Sequence, residues 1–389
     1  MNGAAQADIA FFLATSGHSG VDRLMGNLIR EIARRGYHID LLRVRGHGPH
    51  IAPLPNHVRC IDLGSRHVNS SLPGLVRYLK KASPRALLSD KDRLNRMALF
   101  ATRLARVNTT VAVRIGTTVS VNLENRGWGE RRLQYASIRH LYPHADSIIV
   151  PSRGAGDDLN HIAGRVLPHL HVLPSPVISQ HFEQLCRAPA HHPWLTDKRR
   201  PLVLAVGELS RRKDFTTLIQ AFRHLASSGD PRLIIIGEGR QRQRLEQLVA
   251  RCGLESRVAL PGFIPNPYPY MASADLFVLS SICEGSPVVL MEALAAGVPV
   301  VATDCPSGPR EVLQDGRLGP LTPVGNADAL AQAMQDILAK PPRRIALQAA
   351  AAPFHVVSAT DGYLSAMRIG QPKPPKAFDQ DPLNGRSMP

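Results

Sequence analysis

The chain has few cysteines and no long apolar run, and these absences argue against several classes of protein. Its 389 residues include five cysteines, none of them in a C-x-x-C pair. Structural zinc and a disulfide framework are therefore poorly supported, and we expect free thiols in a reducing compartment. No run of about 20 apolar residues is present, so we expect no membrane-spanning helix. The first apolar run, residues 9–14, is short and follows no basic stretch, so we expect no secretory signal.

Acidic residues are also few compared with basic ones. The chain has 47 Lys and Arg against 31 Asp and Glu, a formal net charge of +16. Residues 1–180 hold 24 of these basic residues and 12 of the acidic ones, so most of the excess lies in the first half. Such a surface favours an anionic partner, which could be nucleic acid, anionic lipid or a phosphate-bearing substrate. A generally basic proteome is the alternative explanation, and composition does not choose among these.

What the chain does have is a regular alternation of short β-rich runs with helical stretches. Its length and its 44% hydrophobic content suit two domains. Strands are predicted at residues 9–14, 37–44, 57–62, 85–88, 109–114, 147–151 and 171–174, and again at 202–206, 233–236, 258–261, 276–279 and 298–303. Helices such as 21–35, 72–81 and 92–106 lie between them. The alternation predicts an α/β fold with two doubly wound, Rossmann-like domains facing a cleft, where ligands bind at the carboxyl ends of the strands.

Proline-rich and polar segments suggest where the domains end. Pro174, Pro176, Pro189 and Pro193 mark a linker. We predict a first domain over residues 1–176, a linker over 177–200 and a second domain over 201–352. A final helix over 353–369 is expected to cross back to the first domain, and a disordered tail is expected over 370–389.

The segment over residues 283–304 carries the most chemical information. Glu284 lies in the loop after a predicted strand, Ser286 is a natural N-cap, Pro287 suits the first helical position, and Glu292 lies within the helix. The two glutamates are on the order of 10 Å apart near one face of the helix. That spacing suits a sugar ring and a ribose, with a diphosphate between them at the helix N-terminus, whose amide groups favour an anion.

This segment resembles the signature of the family-4 retaining glycosyltransferases, in which seven residues separate two glutamates. Further segments match motifs of that family in the same order along the chain, and they are residues 17–23, 206–219, 236–240, 260–266 and 305–313. The order makes the resemblance specific. It implies the GT-B fold, and residues 305–313 resemble the subgroup that builds bacterial surface polysaccharides, including lipopolysaccharide, and lipid-linked oligosaccharides. The first domain would then bind the acceptor and the second a nucleotide sugar.

The resemblance implies a role for each matching residue. Glu284 would bind hydroxyl groups of the donor sugar, and Lys213, helped by Arg212, would neutralise the diphosphate leaving group by charge-assisted hydrogen bonds. Glu292 would hold the ribose hydroxyls. The other donor-binding positions are the backbone of Ser286, Pro287 and Val288, the base-bordering Phe263 and Ile264, and Gly20, which would let the backbone approach the donor.

Two departures from the family pattern affect the mechanism. Glu208 stands where the family usually has Arg after the glycine of its basic segment, and Arg211 or Arg212 would substitute. Residues 114–118 lack the His that many relatives carry there, so we assign no general base. The family mechanism is a front-face displacement in which the leaving phosphate accepts the proton of the acceptor, a route that needs no side-chain base.

The expected function is retaining transfer of a hexose or N-acetylhexosamine from a UDP-sugar to a saccharide on a polyprenyl diphosphate. We expect a cytoplasmic enzyme, peripheral on the inner membrane, with no metal, no cofactor and no nucleic-acid partner. Two alternatives stay open: a non-catalytic basic module that binds polyanions or membranes, and a sugar epimerase or phosphorylase of the same fold.

Single motifs also have simpler interpretations. The two glutamates could be an ordinary cap and a solvated helix position. Asp90 and Asp92 resemble a D-x-D metal motif but suit the cap of a helix. Gly237 and Gly239 resemble a dinucleotide fingerprint whose third glycine is missing.

Overall fold

A computed structural model describes residues 7–370 except 15–19, 49–52, 125, 198 and 228. The predicted tail, apart from Gly370, lies outside the described residues, and so do three of the seven residues of the glycine-rich loop predicted at 17–23. Within the described part of the chain, no helix is both long and apolar enough to cross a membrane.

The strands form two sheets. They are β1 Ile9–Phe12, β2 Ile39–Arg43, β3 Val58–Asp62, β4 Ala86–Asp90, β5 Thr110–Arg114, β6 Ser147–Val150, β7 Leu170–Val172, β8 Leu202–Val206, β9 Arg232–Ile236, β10 Val258–Gly262, β11 Leu276–Leu279, β12 Val300–Thr303 and β13 Leu321–Thr322. The first sheet has the order β3-β2-β1-β4-β5-β6-β7 and the second the order β10-β9-β8-β11-β12-β13, and both are orders of a doubly wound fold. Paired strands such as β1 and β2, or β8 and β9, run parallel. The predicted α/β class is therefore confirmed.

Helices connect most of these strands, as parallel pairing requires. The α-helices are α1 Gly20–Arg34, α2 Leu72–Ala82, α3 Asp92–Ala105, α4 Val119–Leu123, α5 Trp128–His140, α6 Arg153–Ala163, α7 Phe182–Cys186, α8 Pro193–Thr196, α9 Phe215–Ser227, α10 Arg242–Arg251, α11 Tyr268–Ser273, α12 Val288–Ala296, α13 Pro309–Val312, α14 Ala327–Ala339, α15 Arg344–Ala350 and α16 Val356–Ala366. Short 3-10 turns lie at Asn69–Ser71, Tyr142–His144, Arg211–Lys213 and Ala352–Phe354.

The chain divides into two compact units, of which the first comprises Met1–Val113 and Thr360–Pro389. Helix α1 shows how its sequence determines its packing. Leu24, Leu28 and Ile32 recur at helical spacing and are buried. Gly36, at φ +88°, then ends the helix in a conformation that favours glycine. At the end of α1, Arg35 binds both Glu31 and Asp361 of α16.

The second unit comprises Arg114–Ala359 and includes the second sheet. Its core lies where α9 and α14 pack on the sheet, with Phe222, Leu330 and Met334 fully buried beside strand residues such as Val203 and Val278. The aliphatic runs of β8, β9 and β11 are buried throughout or nearly so, as is typical of parallel strands covered on both faces.

The observed elements differ from the predicted ones mainly at their ends. The strand predicted at residues 298–303 begins at Val300, after Pro299, because proline cannot donate to the strand ladder. Strand β13 was not predicted, since its two residues between Pro320 and Pro323 are too short to show a pattern. The predicted linker contains α7 and α8. The domain boundaries at 176 and 201 and the crossing of the last helix stay predictions.

Candidate active site

The candidate site forms where the order of the second sheet reverses. Strand β8 leads to β9 on one side, while its other neighbour is β11, and the two pair in parallel. Crevices open at the carboxyl ends of strands at such a switch point. The loop after β8 contains Arg212 and Lys213, and the loop after β11 contains Glu284. The strand order therefore brings together two loops that are far apart in the sequence.

Glu284 and Lys213 form a buried ion pair at this point. Nζ of Lys213 lies 2.6 Å from Oε1 of Glu284, and the two residues are 8% and 7% exposed. The same carboxylate oxygen accepts a hydrogen bond of 2.7 Å from the hydroxyl of Ser281. The ammonium group has three N–H donors, and among the described residues one of them has a hydrogen-bond partner, Glu284. Two donors of Lys213 are thus left for a ligand.

Arg212 holds the second oxygen of the same carboxylate. Its Nη1 atom lies 2.9 Å from Oε2 of Glu284 and 3.4 Å from the carbonyl oxygen of Cys283. Its side chain is 45% exposed, so a second face of the guanidinium is open to solvent. Arg211 and Arg212 are the two arginines that could replace the family's usual one. Arg212 contacts Glu284, while Arg211 is exposed.

The two cations determine the charge state of Glu284. Burial alone would raise the pKa of this carboxyl group, but the charges of Lys213 and Arg212 and the hydrogen bonds from Lys213 and Ser281 outweigh it. The pKa of Glu284 therefore lies below its ordinary value, and the carboxylate is ionised at neutral pH. The site presents a carboxylate beside two cations, which suits binding of both hydroxyl groups and phosphate oxygens.

A glycine lets the side chain of Lys213 reach this position. A Cβ atom at Gly207 would lie 3.0 Å from Cε of Lys213, so a larger residue there would press on the lysine stem. The hydroxyl of Ser280 donates to the carbonyl of Lys213 at 2.8 Å, and the amide of Ile282 donates to the carbonyl of Arg212 at 2.8 Å. These contacts tie the two loops together.

The loop that carries Glu284 is held on its other side as well. The hydroxyl of Ser307 donates to the carbonyl of Glu284 at 2.9 Å and also contacts the hydroxyl of Thr118. At Gly285, a Cβ atom would lie 2.5 Å from Cα of Thr117, so only glycine fits. Neither Ser307 nor Thr118 is predicted as a site residue from the sequence, because the local pattern around each does not reveal its partner.

Glu292 lies in a separate, fully buried environment on α12. It is 0% exposed, and its Oε1 atom accepts a hydrogen bond of 2.9 Å from the hydroxyl of Tyr268 on α11. Tyr268 in turn packs against Phe182, with ring centroids 4.7 Å apart. The sequence places Glu292 correctly within the helix, but it does not reveal Tyr268. No motif marks this tyrosine, and only its burial beside Glu292 identifies it.

The predicted start of α12 is wrong by one residue. The helix begins at Val288, Pro287 is its N-cap, and no side chain caps it. Ser286, predicted as the cap, places its hydroxyl 3.1 Å from that of Ser175 instead. The reason is a tight turn before the helix, in which the amide of Val288 donates to the carbonyl of Ser286 at 2.8 Å.

The remaining predicted positions lie at the ends of other elements. Phe263 follows β10 and is 62% exposed, unusually open for a phenylalanine, while the adjacent Ile264 is half-buried. Gly20 is the first residue of α1, so it lies in a helix rather than in the predicted loop. Glu208 is exposed. The donor-binding roles of these positions stay predictions.

The structure also decides between interpretations of two other motifs. Asp92 begins α3 and pairs with Arg96 at 3.0 Å, but the residue before the helix is Lys91, without a side-chain cap, so a capping role for Asp92 is wrong. Cβ atoms at Gly237 and Gly239 would lie 1.9 Å and 2.4 Å from carbonyl oxygens of the β8 loop, which explains both glycines by close packing. Within the described ranges, no three His, Cys, Asp or Glu residues cluster as metal ligands would.

Comparison with known families covers most of the chain. Residues 19–176 match the family described as glycosyl transferase 4-like domain, and residues 188–352 match glycosyl transferases group 1. The second match contains Arg212, Lys213, Glu284 and Glu292. The chain belongs to the family-4 glycosyltransferases, as its motifs indicate.

Individual relatives agree with this family. The chain is 32% identical over 247 residues to an N-acetylgalactosamine-N,N'-diacetylbacillosaminyl-diphospho-undecaprenol 4-alpha-N-acetylgalactosaminyltransferase of Campylobacter jejuni, a match that covers 64% of this chain and 65% of that protein. It is 34% identical over 139 residues to the lipopolysaccharide core biosynthesis glycosyltransferase LpsE of Rhizobium meliloti, a match that covers 36% of this chain and 40% of that protein. The matches thus span less than two thirds of these relatives.

Solved structures show the fold over nearly the whole chain. Anabaena Alr3699/HepE, crystallised in complex with UDP, superposes with a TM-score of 0.74 at 19% identity, and the match covers 93% of this chain and 100% of that one. At this identity the likeness concerns the fold alone. The predicted GT-B fold is confirmed.

Proposed function

We propose that this chain is a retaining glycosyltransferase that moves a hexose or N-acetylhexosamine from a UDP-sugar to a saccharide acceptor carried on a polyprenyl diphosphate. The step would belong to the synthesis of a bacterial surface polysaccharide or lipopolysaccharide. The observation that carries the proposal is the Glu284 carboxylate held between Lys213 and Arg212 at the switch point of the second sheet. A carboxylate and two cations at one point match the hydroxyl groups and the diphosphate of a nucleotide sugar.

In the proposed reaction, the two cations bind the diphosphate. The bond between the anomeric carbon and the diphosphate oxygen breaks, and Lys213 and Arg212 stabilise the negative charge that develops on the leaving group. Because Lys213 is almost fully buried, its charge is weakly screened there and acts strongly on that phosphate. Glu284 accepts hydrogen bonds from hydroxyl groups of the sugar and holds the anomeric carbon in place.

The acceptor oxygen attacks on the face from which the diphosphate departs. The new glycosidic bond therefore keeps the anomeric configuration of the donor, and the proton of the acceptor hydroxyl passes to an oxygen of the leaving phosphate. This route requires no side chain to act as a base, which agrees with the absence of a histidine from residues 114–118. Glu292 would bind the ribose hydroxyls, with Tyr268 fixing the orientation of its carboxylate.

One solved structure of the same fold and one relative support the choice of substrates. The HepE structure contains UDP, and the name of the Campylobacter relative describes an acceptor on undecaprenyl diphosphate. A lipid-linked acceptor would place the enzyme at the cytoplasmic face of the inner membrane, where the basic first half of the chain would meet anionic headgroups.

Thermal-shift measurements against a panel of nucleotide sugars test the donor. A ligand that binds only the folded state raises the melting temperature, so the true donor and UDP are expected to do so, and GDP- and ADP-sugars are not. Transfer to an undecaprenyl-diphosphate saccharide, with the anomeric configuration of the product read by NMR, tests the reaction. An inverted product would contradict the retaining mechanism. Salt-sensitive binding to any polyanion without use of a UDP-sugar would favour a non-catalytic basic module instead.

A further inference from the structure

The loop after β12, residues 304–308, packs against the turn that carries Glu284. Strand β12 pairs with β11 in parallel, so the loops that follow the two strands leave the same edge of the sheet. A Cβ atom at Gly308 would lie 2.7 Å from Cδ of Pro287 and 3.6 Å from the carbonyl oxygen of Gly285. The two loops therefore touch each other directly, and a shift of one moves the other.

The side chain of Ser307 adds a hydrogen bond to this contact. Its hydroxyl donates to the carbonyl oxygen of Glu284 at 2.9 Å. Ser307 has φ +55°, in the left-handed region that residues other than glycine rarely adopt. Backbone strain of this kind persists where surrounding contacts fix it. The bond to Glu284 is one such contact, so the conformation of Ser307 and the position of the turn depend on each other.

The hydroxyl of Thr118 is a second partner of Ser307. A serine hydroxyl has one proton, and Ser307 donates it to Glu284, so Thr118 must be the donor in its contact with Ser307. The two hydroxyls and the carbonyl thus form a hydrogen-bond chain with one direction, from Thr118 through Ser307 to Glu284. Hydrogen bonds in such a chain strengthen one another.

Another residue performs the capping role that Thr118 would ordinarily have. Thr118 is the N-cap of α4, but its side chain accepts no hydrogen bond from the described amides of that helix. Instead, Oδ2 of Asp158 accepts from the amides of Val119 at 2.7 Å and Ser120 at 3.1 Å. The hydroxyl of Thr118 is therefore available to Ser307.

The same segment is also attached to α6. Glu311 accepts hydrogen bonds from the amides of Arg153 and Gly154 at the start of that helix. A Cβ atom at Gly154 would lie 2.9 Å from Cβ of Ser307, so the segment and the helix are closely packed. Residues 305–313 carry the motif that resembles a family subgroup, and these contacts show what the motif does. It joins the Glu284 turn to α4 and α6.

We propose that Ser307 is a positioning residue for the transfer reaction. It fixes the turn over residues 284–288 against the loop after β5, residues 115–118, and it acts through the backbone of Glu284. The inference rests on the proposed function, in which the Glu284 carboxylate holds the donor sugar. It adds a role for the motif over residues 305–313 in that reaction.

Replacing Ser307 with Ala separates a positioning role from a structural one. The variant should lower kcat by about tenfold or more, because a small displacement of a group at the reacting centre has a large effect on rate. The Kd for UDP should stay within about twofold of wild type, since UDP lacks the sugar that Glu284 would contact. Kinetics with the identified UDP-sugar and titration calorimetry with UDP measure both values. Parallel loss of kcat and UDP affinity would mean a structural role only.

Two further variants separate the hydroxyl from the backbone. Glycine adopts φ +55° more easily than alanine, so Ser307→Gly should be at least as stable as Ser307→Ala, yet its kcat should fall as far. Thr118→Val keeps the shape of the side chain and removes the first donor of the hydrogen-bond chain, so kcat should fall by about threefold. Wild-type kcat in Ser307→Gly would overturn the role of the hydroxyl.

The matched control is Ser71→Ala in the first unit. This change also removes a hydroxyl that donates to a backbone carbonyl, that of Val68 at 2.6 Å. It is expected to leave both kcat and the Kd for UDP at wild-type values. A loss of kcat in this control equal to that in Ser307→Ala would mean that the effect is not specific to the Glu284 turn, and the inference would fail.

A double change shows whether Ser307 acts through Glu284. In a Glu284→Gln background, adding Ser307→Ala should lower kcat by less than about threefold, because the group that Ser307 positions is already impaired. A further loss as large as in the wild-type background would overturn the path through Glu284.

Hydrogen exchange tests the positioning without the reaction. In Ser307→Ala, the peptide that contains residues 284–288 should exchange its amide hydrogens about fivefold faster, because the turn loses one of its hydrogen bonds. Ser71→Ala should leave this exchange unchanged. Unchanged exchange in Ser307→Ala would overturn the inference. If the wild type transfers no sugar from any nucleotide sugar, the proposed function fails, while the exchange rate still decides whether Ser307 fixes the turn.

Discussion

The ammonium nitrogen of Lys213 lies 2.6 Å from a carboxylate oxygen of Glu284, although the two residues are 71 positions apart in the chain. The pair joins the loop after β8 to the loop after β11, and Arg212 binds the other oxygen of the same carboxylate. One acidic side chain thus aligns two cations before any donor is present. Such alignment matters because groups that are already in place lose little energy to reorganisation during the reaction.

Replacing Lys213 with Ala should reduce turnover, because the leaving diphosphate loses its buried cation. We expect kcat to fall by roughly 10² to 10³, the range seen when one stabilising donor is removed from such a site. Steady-state kinetics with the identified UDP-sugar measure the effect. Lys213→Arg should recover part of the activity, while Lys340→Ala, at an exposed position after α14, should behave like the wild type. Unchanged turnover in Lys213→Ala would reject its role.

Changing Glu284 to Gln should separate turnover from binding. The amide cannot bind the sugar hydroxyls as strongly, so kcat should fall at least about tenfold. The affinity for UDP should stay within a few-fold of the wild-type value or increase, because Lys213 and Arg212 lose a competing carboxylate. Isothermal titration with UDP and kinetics on the same preparation compare the two effects. A loss of UDP affinity as large as the loss of kcat would contradict contact with the sugar.

The stability that Glu284 contributes should depend on pH. Its pKa in the folded protein lies below the ordinary value of 4.5, so its contribution is complete above about pH 4.5 and is lost as the pH falls through the lower folded pKa. At pH 7, Glu284→Gln leaves Lys213 buried without its partner and should reduce the free energy of unfolding by about 3 kcal/mol. Urea titrations from pH 7 to pH 3 should show the difference from wild type shrinking below pH 4.5. A constant difference would mean that the carboxylate charge is irrelevant.

Replacing Glu292 with Ala should weaken UDP binding rather than slow the chemical step. Loss of hydrogen bonds to the ribose should raise the Kd for UDP by about tenfold, or roughly 1.4 kcal/mol. Tyr268→Phe should have the same effect in weaker form, since it removes the hydroxyl that orients Glu292. Titration calorimetry measures both variants. The control is Glu255→Ala, at an exposed site just after α10, which should bind UDP like the wild type. If Glu292→Ala and Tyr268→Phe bind UDP as tightly as this control, Glu292 is excluded from the nucleotide site.

Glu311 should stabilise the start of α6. Its carboxylate accepts hydrogen bonds from the amides of Arg153 at 2.8 Å and Gly154 at 2.9 Å, so it serves as a cap supplied from a distant segment. Glu311→Ala should reduce stability by about 1 kcal/mol, as loss of a helix cap does. Urea denaturation measures the change. Glu311→Gln keeps an acceptor oxygen and should lose less stability than Glu311→Ala. If both variants unfold at the same urea concentration as the wild type, the cap contributes nothing to stability.

Several features of the site follow from local sequence alone. The buried aliphatic runs predict β8 and β11, and the pattern around residues 283–304 places Glu284 before a helix and Glu292 within it. Other features could not be predicted. Ser286 is a residue type that often caps helices, but its hydroxyl contacts that of Ser175 instead. The sequence around Arg211 and Arg212 does not show which of the two contacts Glu284. Tyr268 acquires its role only from its contact with Glu292.

The amino-acid sequence alone is sufficient for the α/β alternation, for the choice of family, and for placing Glu284 before α12 and Glu292 within it, because periodicity and motif spacing act over a few residues. The tertiary structure alone settles which cations share the carboxylate of Glu284 and why Gly285 must be a glycine. These depend on the order of strands in a sheet and on packing between distant segments. No local pattern encodes the strand order, since the same alternation of strands and helices is compatible with several strand orders.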